Sequence, residues 1–129
     1  MKWDEQVERL RRKAAGDEQA MTALLGVSSV PDEVIGFHAQ QAVEKLLKAL
    51  LSHRRVAFRR THDLTELLDL LAASGIAVPP QIAEVRRLGP YAAEFRYEDI
   101  PLDAVEPFDR HWAADCVERT RKWVDSLLS

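Results

Sequence analysis

The stretch from Pro31 to Ser52 constrains this chain more than any other part of it. At 100° per residue it gathers Ile35, Ala39, Ala42, Val43, Leu46, Leu47, Ala49 and Leu50 on an apolar face about 160° wide. A face that broad cannot be covered by one neighbour. The sequence therefore predicts a helix enclosed by several others, and with it a helical core.

The remaining segments carry the same periodicity. From Lys2 to Leu25, the residues Trp3, Val7, Leu10, Ala14, Met21 and Leu24 recur at three-to-four spacing, with Asp17 interrupting the stripe and Gly26 and Ser28-Ser29 closing it. Ser29 is placed to cap the second helix, with Pro31 in its first turn. Asp63 is placed to cap a third helix, and Glu66 three positions on completes a capping box. That helix buries Leu64, Leu67, Leu68 and Leu71, and Gly75 ends it.

From Pro79-Pro80 a stripe of Ile82, Val85, Leu88, Ala92 and Phe95 stays in phase through Gly89-Pro90, which predicts a kinked fourth helix. A last helix starts between Asp103 and Phe108 and carries Val105, Phe108, Trp112, Cys116, Val117, Thr120, Trp123, Val124 and Leu127. No strand alternation, internal repeat or long linker breaks the pattern. The expectation is all-α: an up-and-down bundle of four to five helices, with residues 1–129 as one domain.

Charge narrows the partners. With 18 basic and 21 acidic residues the net charge is −3, so bulk attraction to nucleic acid is not expected and any basic function must be local. The single cysteine rules out an internal disulfide and a multi-cysteine metal site, and no metal or cofactor is expected. Charged residues replace the apolar run of a signal peptide at the amino terminus, and no stretch approaches a membrane span; a cytoplasmic protein without a membrane contact is expected.

Several residues carry candidate chemistry. Arg96, beside Tyr97, falls on the buried stripe if the fourth helix stays in phase, where a guanidinium needs either a carboxylate such as Glu44, Glu94 or Asp99, or an anion. His38, Gln41, Lys45 and Lys48 share one face of the second helix, either as a solvated face or as a row of phosphate donors. Arg54, Arg55, Arg59 and Arg60 form a basic patch after that helix, where the helix dipole accounts for Arg54 and Arg55. Phe58 within the patch either stacks a base or docks on the core. His62 and Asp63 follow, with His62 able to move a proton if Arg96 approaches it in space. Arg55 and His62 also fit an Arg, six residues, His spacing, which recurs by chance.

Phe37-His38-Ala39-Gln40-Gln41-Ala42-Val43-Glu44-Lys45-Leu46-Leu47-Lys48-Ala49, then Thr61-His62-Asp63-Leu64 and then Phe95-Arg96-Tyr97 together resemble the HEPN domain, a nucleotide-binding helical domain. The resemblance implies a bundle of four or five helices, a homodimer, and a nucleotide or RNA ligand. It further implies work beside a separately encoded minimal nucleotidyltransferase, in a two-component or toxin–antitoxin pair. Many members are metal-independent ribonucleases in which an Arg is followed, after four to six residues, by a His. Arg96 is followed by Tyr-Glu-Asp-Ile-Pro-Leu-Asp, with no His at that place, so the resemblance points to binding rather than to a complete ribonuclease pair. Arg96 and Tyr97 are the matched functional positions; His38, Gln41, Lys45, Lys48, His62 and Asp63 follow from the other motifs.

Overall fold

The computed structural model describes residues 2–92 and 108–128, and among these the chain is all helical with no strand. Four α-helices of two turns or more, α1 (Lys2–Leu24), α2 (Asp32–His53), α3 (Leu64–Ala73) and α5 (Arg110–Leu128), are joined by a single turn, α4 (Pro80–Ala83), which runs into a 3-10 helix at Glu84–Tyr91.

Side-chain pairs give the direction of each leg. Gln6 near the start of α1 donates to Ser52 at the end of α2, and Asp17 meets Lys45, so α1 and α2 are antiparallel. Arg110 at the start of α5 reaches Asp32 at the start of α2, so these two run the same way. The third leg is assembled from α3, α4 and the 3-10 helix, and it ends with Tyr91 against Gly36, back near the start of α2. The order is up, down, up, down.

Helix α2 is the axis of the bundle. It packs against α1, α3, the 3-10 helix and α5. Its apolar face is buried as the periodicity predicts, and so are the polar Gln40, Gln41, Glu44 and Ser52 on the opposite side. Enclosure on all sides forces those polar groups to find internal partners, because an unpaired buried one costs about 1–3 kcal/mol.

The boundaries differ from the sequence reading in four places. Pro31, in extended conformation, is the N-cap of α2, and Ser29 lies outside the helix; with no side-chain cap there, Asp32 and Glu33 in the first turn face the exposed N–H groups. Asp63 does cap α3, accepting from the N–H groups of Thr65 and Glu66, but the reciprocal half of the capping box is absent. The Asp63 N–H donates to Thr61 Oγ1, and Glu66 holds Arg59 instead. The fourth segment does not stay α-helical through Gly89-Pro90, and Phe95 lies outside the described residues. Eight residues take the tighter 3-10 form around Pro90, which cannot donate to an α-helical ladder, and the helix stops at Ala92 with extended φ and ψ. Finally, α5 begins at Arg110, later than expected, because the Asp109 carboxylate caps it through the N–H groups of His111 and Trp112.

Arginines lash the legs together. Arg110 donates to the carbonyls of Leu24, Leu25, Val27 and Val30, satisfying the bare C-terminal end of α1 and the turn after it. Arg119 on α5 bonds Glu84 and holds that carboxyl below the usual carboxylate range.

Candidate functional site

The candidate site forms where α2 ends and the chain turns into α3. Helix α2 closes with a Schellman motif: the N–H of Val56 donates to the carbonyl of Leu51, and that of Arg55 to Ser52. The residue between cap and exit must be left-handed, a conformation suited to glycine. Here it is Arg55, at φ +59°. Holding a side chain there costs about 1 kcal/mol, and the exposed Arg55 gains no buried contact in return.

From Arg54 to Asp63 the connection is pinned at several points. Phe58 packs against the core and lies under the Lys48 ammonium at 5.7 Å, so the docking reading of Phe58 holds. Arg59 grips Glu66 through Nε and Nη2. The His62 carbonyl accepts from Gln40 Nε2 at 3.1 Å, and the His62 ring places Nδ1 2.8 Å from Glu44 Oε1.

Glu44 is the centre of this arrangement. Its carboxylate is almost fully buried and accepts from Gln40 Nε2 and Lys48 Nζ as well as meeting His62, while Gln41 Nε2 donates to Gln40 Oε1. A carboxylate accepts only, so it selects the His62 tautomer or cation with hydrogen on Nδ1. The same carboxylate neutralises Lys48 and orients His62, which is the arrangement that readies an imidazole for proton transfer.

A second cluster sits further back along α2. Asp17 of α1, the residue that broke the apolar stripe, places Oδ1 3.1 Å from His38 Nδ1 and takes the Lys45 ammonium on its other oxygen. The face containing His38, Gln41, Lys45 and Lys48 is therefore not a solvated row. Three of the four are tied to carboxylates, and Gln41 is buried in an amide chain with Gln40.

The sequence-predicted residues are thus divided by the fold. Lys48 and His62 converge on Glu44, and Asp63 stands beside them as the α3 cap. His38 and Lys45 converge elsewhere, on Asp17. Arg54, Arg55 and Arg60 are exposed at the connection and have no carboxylate partner among the described residues. Arg96 and Tyr97 lie outside the described residues. Sequence reasoning missed Gln40, Asp17 and the central part of Glu44. The signals were present: an acid inside an apolar stripe, and an acid on a helix whose apolar face is unusually broad.

Burial pushes the Cys116 thiol up to about 12, so it is no nucleophile near neutrality. Among the described residues no group of His, Cys, Asp or Glu could hold a metal ion.

Comparison with known proteins agrees with this architecture. Residues 7–128 match the model of the HEPN domain. The fold is also that of the crystal structure of an archaeal HEPN homologue, with a TM-score of 0.71 and 23% identity, covering 95% of this chain and 98% of the other. No curated protein matches the chain.

Proposed function

Because this chain belongs to the HEPN domain family, we propose that it is a single-domain binding module for nucleotide or RNA phosphate, with its ligand held at the connection between α2 and α3. The observation that carries this reading is the pinned connection itself: it presents Arg54, Arg55 and Arg60 outward with no described carboxylate to neutralise them, while buried Glu44 compensates Lys48 and orients His62 beside them. Guanidinium groups match phosphate oxygens, and a rigid platform binds with little loss of chain entropy. Arg96 and Tyr97 belong to this reading through the family resemblance.

The same resemblance supports a homodimer working with a separately encoded minimal nucleotidyltransferase, in a two-component or toxin–antitoxin pair, and we place that work in the cytoplasm. No described helix is long and apolar enough to cross a membrane. A nucleotidyltransferase gene beside this one would support the pairing, and an isolated gene would count against it.

The Glu44–His62 dyad favours a second reading, a divergent metal-independent ribonuclease in which His62 acts on a ribose 2′-hydroxyl. One experiment separates the two. Purified protein is incubated with end-labelled transfer RNA in a chelator, with cleavage read on a denaturing gel and retention on a native one. The binding module predicts retention without cleavage, weakened about tenfold or more when Arg54, Arg55 and Arg60 are changed together to Gln. Cleavage lost in His62→Ala or Arg96→Ala would establish the ribonuclease. Neither retention nor cleavage would point to an interaction module for a protein partner.

A further inference from the structure

We propose that Lys2, Arg9 and Lys13, aligned on the flank of α1 that borders α2, extend the basic connection into a track for the backbone of an RNA strand. The proposal rests on the phosphate-binding reading above and adds that the ligand is a polymer with contacts beyond the connection.

The bonds of α1 fix its rotation. Gln6 bonds Ser52 and Asp17 bonds Lys45, so these two residues mark the line that faces α2. At 100° per residue, Lys2, Arg9 and Lys13 all fall within about 60° of Gln6, whereas Glu8, Arg11 and Glu18 fall more than about 110° away. Helix α1 is thus divided lengthwise. On the far flank charges cancel: Arg11 pairs with Glu8 and Asp125, and Arg121 of α5 pairs with Glu18, around a groove of about 470 Å³. On the α2 flank Lys2, Arg9 and Lys13 are exposed and have no ion-pair partner among the described residues. Of the carboxylates near that side, Asp17 is already occupied by His38 and Lys45, and Glu5 borders the row beside Arg9.

The stripe also adjoins the connection. The Gln6–Ser52 bond places the start of α1 against the last turn of α2, two residues before Arg54. From Lys2 to Lys13 the helix rises about 16 Å, with cations about 10 and 6 Å apart, a straight exposed row. Such a row suits a repeating phosphate charge and would add nothing for a single nucleotide. The net charge of −3 hides it: Asp4 and Glu8 lie on other faces of α1, Glu5 borders the row beside Arg9, and Asp17 beyond its end is taken by His38 and Lys45.

The test compares two double variants with the same change in net charge, Arg9→Gln/Lys13→Gln on the stripe and Arg11→Gln/Arg121→Gln on the paired flank. Binding of a labelled RNA oligonucleotide and of AMP is measured over a range of salt, with the melting temperature of each variant as a check on folding. The stripe variant is expected to bind RNA about tenfold more weakly, with a salt slope lower by roughly 1.4, and AMP as the wild type does; the paired-flank variant should keep the RNA slope. An unchanged stripe variant overturns the track while leaving the connection as the site. Equal losses in both variants overturn it in favour of bulk charge. Wild-type protein that binds neither RNA nor AMP removes both readings, and retention of polyglutamate in place of RNA assigns the surface to an acidic protein.

Discussion

Two stretches of α2 hold the third leg and the α2–α3 connection by different means. Near its start, Gly36 lets the Tyr91 ring lie on the bare backbone: a Cβ built there would come within 2.6 Å of the ring. Tyr91 in turn meets Phe108 edge-on, with ring centroids 4.9 Å apart, and burial, aided by Glu33 and Asp32, raises its hydroxyl pKa. Beyond its middle, α2 holds the chain through charge, with Glu44 gathering Gln40, Lys48 and His62. Shape secures one contact. Pairing secures the other, and a pair can be exchanged for a ligand, which is why the functional reading belongs there.

The largest effect is expected from Glu44→Ala. It strands Lys48 and Gln40 and should lower stability by about 3 kcal/mol in urea titration, because breaking a buried pair leaves a desolvated group behind. A loss near zero would mean that the polar stretch is held by Phe58 and Val56 packing instead. Next comes Gly36→Ala. Alanine gains up to about 1 kcal/mol as a better helix former, yet the clash with Tyr91 should outweigh that gain and leave a net loss of about 1–2 kcal/mol. A stabilised variant would show that the ring can move aside.

Glu44 and Gly36 are about 12 Å apart along one helix, so combining the two changes should give the sum of their separate effects within about 0.5 kcal/mol. A larger coupling, seen by the same titration, would join the two stretches into one unit. Asp17→Ala should cost less than Glu44→Ala, about 1–2 kcal/mol, since its carboxylate and both partners retain some solvent. The smallest effect is a gain: Arg55→Gly should raise stability by about 1 kcal/mol by relieving the left-handed backbone, while weakening RNA retention. Improved stability with unchanged retention would remove Arg55 from the site.

Much of this molecule was legible in its sequence because helices declare themselves locally. The breadth of the apolar face on α2, the Asp63 cap and the Gly75 stop each depend on residues within a turn or two, and each stands as read. The fourth segment was misread for a physical reason. A hydrophobic stripe in phase across Gly89-Pro90 records which side is buried, and Val85, Leu88 and Ala92 are indeed buried, but burial does not specify α over 3-10 geometry. The site divided in the same way. Sequence placed His38, Gln41, Lys45 and Lys48 on one face and His62 beyond them, since spacing alone decides that. Which carboxylate each would meet was a tertiary matter: Asp17 is delivered by another helix, and Glu44 meets His62 only when the connection folds back onto α2. Periodicity sets the direction in which a side chain points, whereas the identity of its partner depends on how distant segments close upon one another.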